Sequence, residues 1–418
     1  MKLLVLAQNY PYVAHPLAAA FNERSVTVFQ DLCEGVEVLV PRPYAPPLVS
    51  SLIPRWQAQA HIPAYEIRHG ISVYRPAYLQ LPRFGGAFCV DQMAFLGCCR
   101  LARKMHHRAQ FDGILSFDVV GVGGLAWRLG RILKIPASGW VTGNTPASSS
   151  YQRMVKRALN NLDLVFYQSH DLLDKAACLL GMATSEVSSE KHLVLPRGIP
   201  DPPSLPKEAL RQRVREVWGI PSDHVLALSI GRIYREKGIL ELLRAVELAA
   251  AKNPKITCVI IGSSPAFDET QVVQKYLDAR PALRHHINLL PVCPPDQVWE
   301  YLCAADIFAF TSHHEGMPNS LLEAMAMKVP ALAFAIPPVV ELEGATGGIV
   351  LVPPFDATMF GEALVRLAAM PDERSRIAAI GKNRVMERFM IRQNMAIALE
   401  QLARVVHKKK VGTNVVSP

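Results

Sequence analysis

The 418 residues contain no Asp-x-Asp pair, so the usual means of holding a divalent cation against a polyphosphate with two carboxylates is missing. Eight cysteines occur without any Cys-x-x-Cys spacing, the adjacent Cys98 and Cys99 included. Neither a metal site nor a disulfide framework is expected, and free core thiols in a reduced, cytoplasmic compartment are the simplest account. The longest apolar stretches, 119–127 and 329–340, fall short of the ~20 residues a spanning helix needs, and Pro330, Pro337 and Pro338 break the second. The opening MKLLVLAQNYP is too short for the apolar core of a secretion signal and reads as a first buried strand. Aromatic residues, at 7%, do not interleave with the cations and no nucleic-acid module is visible, which argues against nucleic acid as a partner. No repeat or low-complexity segment is present. The glycines of GVGGLAW (121–127) fall short of a full G-x-G-x-x-G, and none follows the first strand, so a nicotinamide-dependent oxidoreductase is only a weak alternative.

Acid is in deficit as well: 36 Asp and Glu stand against 45 Lys and Arg. The imbalance is concentrated in residues 1–200, with 20 cations against 13 acids. Clusters at Arg100, Arg103, Lys104 and Arg108, and at Arg153, Lys156 and Arg157, offer a peripheral contact to anionic membrane or to a lipid-diphosphate, with ordinary solvated helix faces as the plainer alternative.

Half of the residues are apolar, enough for two domains of about 200 residues each. Short apolar runs (3–6, 36–40, 114–117, 164–167, 193–195) alternate with helical stretches, the pattern of a parallel sheet with crossover helices. The Pro-rich IPDPPSLP (199–206) then leads to a second α/β set with strands at 225–230, 257–261, 287–290, 307–310 and 331–334. The expected organisation is a first domain over 1–200, a second over 207–385, a returning helix over 386–406 and a flexible basic tail over 407–418.

The most informative segment is HHEGMPNSLLEAMAMKVPA (313–331). A strand ending at Phe310 and a polar turn from Thr311 to Pro318 deliver the chain into a helix expected to begin near Asn319. Ser320 stands three residues before Glu323, a spacing that allows a capping box. The N–H groups of Asn319, Ser320 and Leu321, backed by the helix dipole, suit a phosphate. Glu315 and Glu323 can accept hydrogen bonds from ligand hydroxyls on either side of it, although Glu323 would equally serve as a helix cap alone. A phosphate flanked by hydroxyl-bearing rings describes a nucleotide sugar. A second strand exit, GRIYREKG (231–238), places Arg232 and Lys237 after Gly231. Glycine permits close backbone approach, and the fork and the point charge can neutralise a diphosphate without a metal.

Taken in order, LPRGIP (195–200), GRIYREKG (231–238), IIGSSP (260–265) and AADIFAFTSHHEGMPNSLLEAMA (304–326) resemble the V-P-N-G-V, G-R-x-x-x-x-K-G, I-x-G-x-G-P and E-x7-E motifs of the retaining glycosyltransferases of family 4. That resemblance implies the α/β GT-B fold, two Rossmann-like doubly wound domains facing a deep interdomain cleft, with a last helix crossing back to the first domain. It implies a hexosyltransferase-type enzyme, independent of metal and cofactor, that moves a sugar with retention from a nucleotide-diphosphate sugar to a glycan or lipid-linked acceptor at the inner face of the cytoplasmic membrane, in cell-envelope or exopolysaccharide synthesis. In that family the Arg and Lys bind the donor diphosphate, the first Glu contacts the transferred sugar and the second holds the ribose. Arg232, Lys237 and Glu315 then form the catalytic set, and Gly231, Gly262, Gly316, Met317, Pro318, Asn319, Ser320, Leu321 and Glu323 the donor-binding set.

The N-terminal half departs from the family. GWVTGNTPAS (139–148) puts Thr142 where a His-Gly loop is usual, followed by Gly143 and Asn144; the first loop, NYPYVAHPLAAAF (9–21), offers His15 in place of a glycine pair; and Pro337-Pro338 replaces a Gly-Gly. Thr142, Gly143, Asn144 and His15 are the acceptor-side candidates. Competing readings are a catalytically inactive partner subunit that keeps the nucleotide-sugar pocket, and a transferase acting on a soluble sugar.

Overall fold

The computed structural model describes residues 1–44, 61–80, 86–187, 189–263 and 268–414. The chain divides into two compact units, one formed by Met1–Arg197 with Ile391–Pro418 and the other by Gly198–Met390.

The first unit contains β1 (Lys2–Leu6), α1 (Ala20–Leu32), β2 (Gly35–Leu39), β3 (Arg42–Pro43), β4 (Tyr65–Arg68), β5 (Ile71–Tyr74), β6 (Ala77–Tyr78), α2 (Gly86–Ala109), β7 (Gly113–Ser116), α3 (Gly124–Leu133), β8 (Ala137–Val141), α4 (Ser149–Asn161), β9 (Leu164–Tyr167), α5 (His170–Leu180) and β10 (His192–Val194). Eight strands form one sheet in the order β10-β9-β8-β7-β1-β2-β5-β4, parallel except for the β4–β5 pairing. Strand residues point alternately to the two faces. Leu4 and Leu6 of β1 join the core under α2 to α5, while Leu3 and Val5 join Phe29 of α1 and Met395 of the C-terminal helix on the other side.

Strands expected at 3–6, 114–117 and 164–167 are present within a residue. Gly139–Val141, expected as loop, is instead the end of β8. ASGWV carries too little β-branched residue to announce a strand, yet all five positions are buried, and a sheet interior overrides propensity.

The C-terminal helix runs Ile391–Asn414, so residues 407–414, expected as a flexible tail, are helical. Lys408 pairs with Glu190, Lys409 with Asp163 at 3.3 Å and Lys410 with Asp112 at 2.9 Å. Three consecutive lysines that look solvated in sequence here meet carboxylates at the starts of strands. Phe389 and Met390 pair with Ile199 inside the second unit, and the helix begins directly after them at Ile391.

The second unit is built on a six-stranded sheet, parallel throughout, of β11 (Val225–Ile230), β12 (Ile256–Ser263), β13 (Ile287–Pro291), β14 (Ile307–Phe310), β15 (Ala331–Phe334) and β16 (Ile349–Val352), in the order β13-β12-β11-β14-β15-β16. β16 went unrecognised in the sequence because IVLV sits between glycines and Pro353-Pro354 in a stretch that offers no longer apolar run. Its helices include α6 (Lys207–Trp218), α7 (Ile239–Lys252), α8 (Asp268–Asp278), α9 (Pro295–Ala304), α10 (Asn319–Ala326), α11 (Pro337–Glu343), α12 (Ala357–Ala369) and α13 (Pro371–Arg388); the C-terminal helix is α14. Among the described residues, no helix is long and apolar enough to cross a membrane.

One buried titratable group in the first unit has a consequence for stability. His192 is 8% exposed and shares a 2.8 Å hydrogen bond between its Nδ1 and the Tyr167 hydroxyl. Burial, helped by neighbouring Lys191, lowers its pKa from 6.5 to about 4. The unfolded chain therefore takes up this proton first as pH falls, and the stability associated with neutral His192 is present above pH 6.5 and lost as pH falls towards 4. The urea midpoint of the wild type should drop more steeply across that window than that of His192→Asn, which keeps a polar partner for Tyr167 without a titrating ring.

Candidate functional site

In the second sheet β11 pairs with β12 on one side and β14 on the other, and sequential order reverses between β11 and β14. Open α/β sheets bind ligands outside the carboxyl ends of the strands at such a switch point. The loops that leave it are 231–238 after β11 and 311–318 after β14. Between them lies a cavity of about 260 Å³ whose wall includes eight of the expected residues: Gly231, Arg232, Lys237, Glu315, Met317, Pro318, Asn319 and Ser320.

The two loops are fastened to each other. The His313 N–H donates to the Glu236 carbonyl at 2.8 Å, and the Thr311 hydroxyl donates to the Lys237 carbonyl at 3.2 Å. Gly238 has φ +64°, and a Cβ there would lie 1.9 Å from the Thr311 carbonyl oxygen, so only glycine permits this approach. Gly262, at φ +135°, has the same role against the other flank, where a Cβ would lie 1.9 Å from the Gly231 carbonyl. Gly231 is different: a Cβ on it would meet nothing within 4 Å, because it faces the open cavity.

Lys237 and Glu315 form an ion pair at 2.5 Å, and the Ser312 hydroxyl donates to the same carboxylate oxygen at 2.8 Å. The two side chains were expected to serve different parts of a ligand; in the structure they pair with each other. Arg232 is exposed, with its guanidinium 5.1 Å from the Tyr234 ring.

Helix α10 starts at Asn319 as expected, but without a capping box. Its N-cap is Pro318, with no side-chain cap, which places Ser320 inside the first turn, where it lines the cavity. The Leu321 N–H is not open to an anion, because it donates to the Pro318 carbonyl at 3.1 Å. Asn319 and Ser320 stay at the cavity wall. Gly262, Gly316, Leu321 and Glu323 do not line it; Glu323 is buried, at 7% exposure, on the side of α10 towards Cys293, whose thiol feels its charge. Ser229, Thr311 and Ser312 line the cavity and were not anticipated. Ser312, three residues before Glu315, was the legible one, being a hydroxyl within reach of a loop carboxylate. Of the expected loop at 260–265, residues 264 and 265 lie outside the described residues.

In the first unit the acceptor-side candidates do not gather into one cluster. His15 closes a turn with Tyr12, the two rings 5.1 Å apart edge to face. Gly143 and Asn144 border a small cavity of about 20 Å³ beside α4 and α5, and Asn144 accepts a hydrogen bond from Lys175 at 3.0 Å. Thr142 turns instead to Asp118. Burial raises the Asp118 carboxyl above the usual range, against the opposing pull of the Val120 N–H, Arg197, the Gly121 N–H and the Thr142 hydroxyl. Arg197, 5% exposed, lies 5.1 Å from the Phe21 ring and 5.0 Å from that of Phe117 and donates to Asn22 at 2.7 Å. Burial lowers its pKa to about 10, with Asp118 opposing. Neither residue of this pair was anticipated; the signal available was the Arg in LPRGIP where the resembled motif carries Asn. The glycines of 121–124 are packing glycines, Gly121 against Gln8 and Gly124 against Asp91, which leaves no phosphate cradle there.

The family model for glycosyl transferases group 1 matches residues 211–384, from α6 into α13. The chain is 31% identical over 372 residues to a putative teichuronic acid biosynthesis glycosyltransferase, TuaC of Bacillus subtilis, covering 88% of this chain and 89% of that one. It is 30% identical over 172 residues to the alpha-D-kanosaminyltransferase of Streptomyces kanamyceticus, 41% of this chain and 43% of that one. The chain belongs to the group 1 glycosyltransferases. Its fold is shared with Anabaena HepE, solved in complex with UDP (TM-score 0.72, 16% identity, 97% of this chain and 100% of that one), and with sucrose-phosphate synthase from Thermosynechococcus elongatus (TM-score 0.74, 16% identity, 98% and 100%). These are GT-B glycosyltransferases, and the two Rossmann-like units conform to that fold.

The three glycines separate packing from ligand access. Gly238→Ala and Gly262→Ala should each lower the thermal midpoint by several degrees, about 1–3 kcal/mol of strain and displaced backbone. Gly231→Ala should leave it unchanged within about 0.5 kcal/mol. Differential scanning calorimetry of the three variants measures both.

Proposed function

We propose that this glycosyltransferase moves a hexose, with retention of configuration and without a metal or cofactor, from a nucleoside-diphosphate sugar to a hydroxyl of a glycan or lipid-linked acceptor in envelope or exopolysaccharide synthesis. The observation that carries this reading is the Lys237–Glu315 pair in the cavity wall beside Arg232 and the start of α10. Further support comes from HepE, solved with UDP and with UDP-glucose, and from the teichuronic acid assignment of the Bacillus relative.

In this proposal the donor diphosphate takes Lys237 from Glu315. The ammonium and the Arg232 guanidinium then face the phosphoryl oxygens, with the α10 N-terminus contributing the Asn319 and Ser320 N–H groups. Glu315 is released to accept a hydrogen bond from a hydroxyl of the transferred sugar, with Ser312 still donating to the oxygen that Lys237 leaves. Gly231, which faces the cavity without a side chain, lets the diphosphate approach the backbone. As the sugar–phosphate bond breaks, negative charge grows on the leaving diphosphate, and preorganised cations favour that state over the ground state. The acceptor hydroxyl attacks the same face of the sugar, its proton passing to the departing phosphate oxygen. Glu323, one turn beyond Ser320, is assigned to the ribose hydroxyls. His15, Thr142, Gly143 and Asn144 are assigned to the acceptor side.

Arg232→Ala and Lys237→Ala should each lower kcat by about 10²–10³ with unchanged circular dichroism. Glu315→Gln should impair transfer more than nucleotide affinity, whereas Glu323→Gln should weaken affinity by about 1.5–3 kcal/mol. Near-normal turnover in the first two variants would refute the diphosphate assignment.

EDTA should leave the rate unaltered. Full loss restored by Mn²⁺ or Mg²⁺ would overturn the metal-independent reading. Normal nucleotide binding with product formed only on addition of a second protein would mark the chain as a partner subunit.

A further inference from the structure

We propose that the helical face formed by α2, α3 and α4 is a docking surface for the anionic headgroups of a phospholipid bilayer. The three helices touch one another on one side of the first sheet. Together they carry nine Lys and Arg against one acid, Asp91, which is buried against Arg128, while Arg108 at the end of α2 meets Glu37 of β2. Arg100, Arg103 and Lys104 follow i, i+3, i+4 spacing and so share one stripe; all three are exposed, while Cys98, Ala102 and Met105 turn inward. None of the three has a carboxylate partner among the described residues. On α4, Arg153 and Lys156 donate to the carbonyls of Ser149 and Leu180, which leaves their charge uncompensated.

The opposite side of the same sheet shows what an ordinary solvated face of this protein looks like. There Arg392 meets Asp31, Arg404 meets Glu400, and Lys408 to Lys410 each meet a carboxylate. Arg108 and Lys175 on the α2 to α5 side also meet carboxylates, Glu37 and Asp171, so the contrast lies in the stripe of Arg100, Arg103 and Lys104 with Arg153 and Lys156 of α4.

Exposed apolar groups accompany the cations. Leu96, 62% exposed, stands one turn before Arg100, and Tyr151, 38% exposed, stands in the first turn of α4. Tyr78 packs against α2 at Gly97, next to Leu96 in sequence. Unpaired Lys and Arg around exposed Leu and Tyr are the composition of a surface that lies in the headgroup layer. A bilayer fits better than a nucleic acid, because the cations spread over three adjoining helices with apolar groups among them rather than following a groove. β8 leads into α4 through residues 142–148, so Tyr151, in the first turn of α4, follows the carboxyl end of β8 in the chain. For the transfer proposed above, docking here would present that end to a lipid-linked acceptor; only this last step rests on that reading.

The test is cosedimentation of the full chain with vesicles of phosphatidylcholine alone or with about one-third phosphatidylglycerol, at low and high salt. The expected result is association with the anionic vesicles only, lost as salt screens the charges. Arg100→Gln/Arg103→Gln/Lys104→Gln should weaken it on the order of 100-fold, from about fivefold per cation. Arg153→Gln/Lys156→Gln, on a different helix, should weaken it about 30-fold. Both variants should keep the wild-type thermal midpoint and the wild-type rate on a water-soluble acceptor. Absence of association, equal association with neutral vesicles, wild-type affinity in the triple variant, or displacement of the vesicles by duplex DNA would each overturn the proposal. Lost docking with intact transfer overturns docking alone, and lost transfer with intact docking overturns only the catalytic reading.

Discussion

The contact between Gly238 and the Thr311 carbonyl is the constraint on which the site in the second unit depends. Two neighbouring parallel strands, β11 and β14, release loops that would each be ordinary if they diverged. They converge because Gly238 has no Cβ, and a Cβ would sit 1.9 Å from that carbonyl. Convergence lets the His313 N–H reach the Glu236 carbonyl and the Thr311 hydroxyl reach the Lys237 carbonyl. With the backbones fastened, Lys237 and Glu315 are within reach across 78 residues of sequence. Gly262 repeats the device one strand over by making room for the Gly231 carbonyl. Backbone proximity at two glycines therefore sets side-chain chemistry at positions that are not themselves glycine.

Most of the second unit was legible in the sequence because its strands are short apolar runs bounded by polar turns, and its parallel sheet buries both faces. The start of α10 was legible from Pro318 and the apolar period after it. Its cap was not, since S-x-x-E spacing says only that a box can form, and Pro318 occupies the N-cap position that Ser320 would need. The Lys237–Glu315 pair could not be read from either loop alone, for it follows from β11 and β14 being neighbours, a fact of strand order. β8 was missed because Ala137 and Gly139 carry no strand propensity, and the lysines at 408 to 410 misled because their carboxylate partners lie at Glu190, Asp163 and Asp112, far away in sequence.

The first unit answers the loss of the usual His-Gly loop with a different polar arrangement. Thr142 is short, and its hydroxyl turns to Asp118, which is itself bound to the N–H groups that open the turn after β7. Arg197 closes the arrangement from behind, between two phenyl rings. The arrangement fixes where the Asp118 carboxylate and the Thr142 hydroxyl point, the carboxylate accepting from the Val120 N–H. It sits at the carboxyl ends of β7 and β8, next to the reversal of strand order between β7 and β1, where the topology of this sheet presents its ligand edge.

Charge is handled in the same way across the molecule, and the exceptions are informative. Lys237 is held by Glu315, Arg197 lies beside Asp118, Arg128 meets Asp91, and the lysines of α14 meet acids at strand starts. For the diphosphate proposed above, a lysine already paired with a carboxylate would stay oriented without the desolvation cost of an isolated ammonium, and the ligand would exchange one partner for another instead of ordering a free side chain. Where cations stand without a carboxylate among the described residues, at Arg232 in the cavity wall and at Arg100, Arg103 and Lys104 of α2, they are exposed to water and pay no such cost. The distinction separates cations that must be pointed before a ligand arrives from cations whose effect is to attract one, and it follows from burial alone.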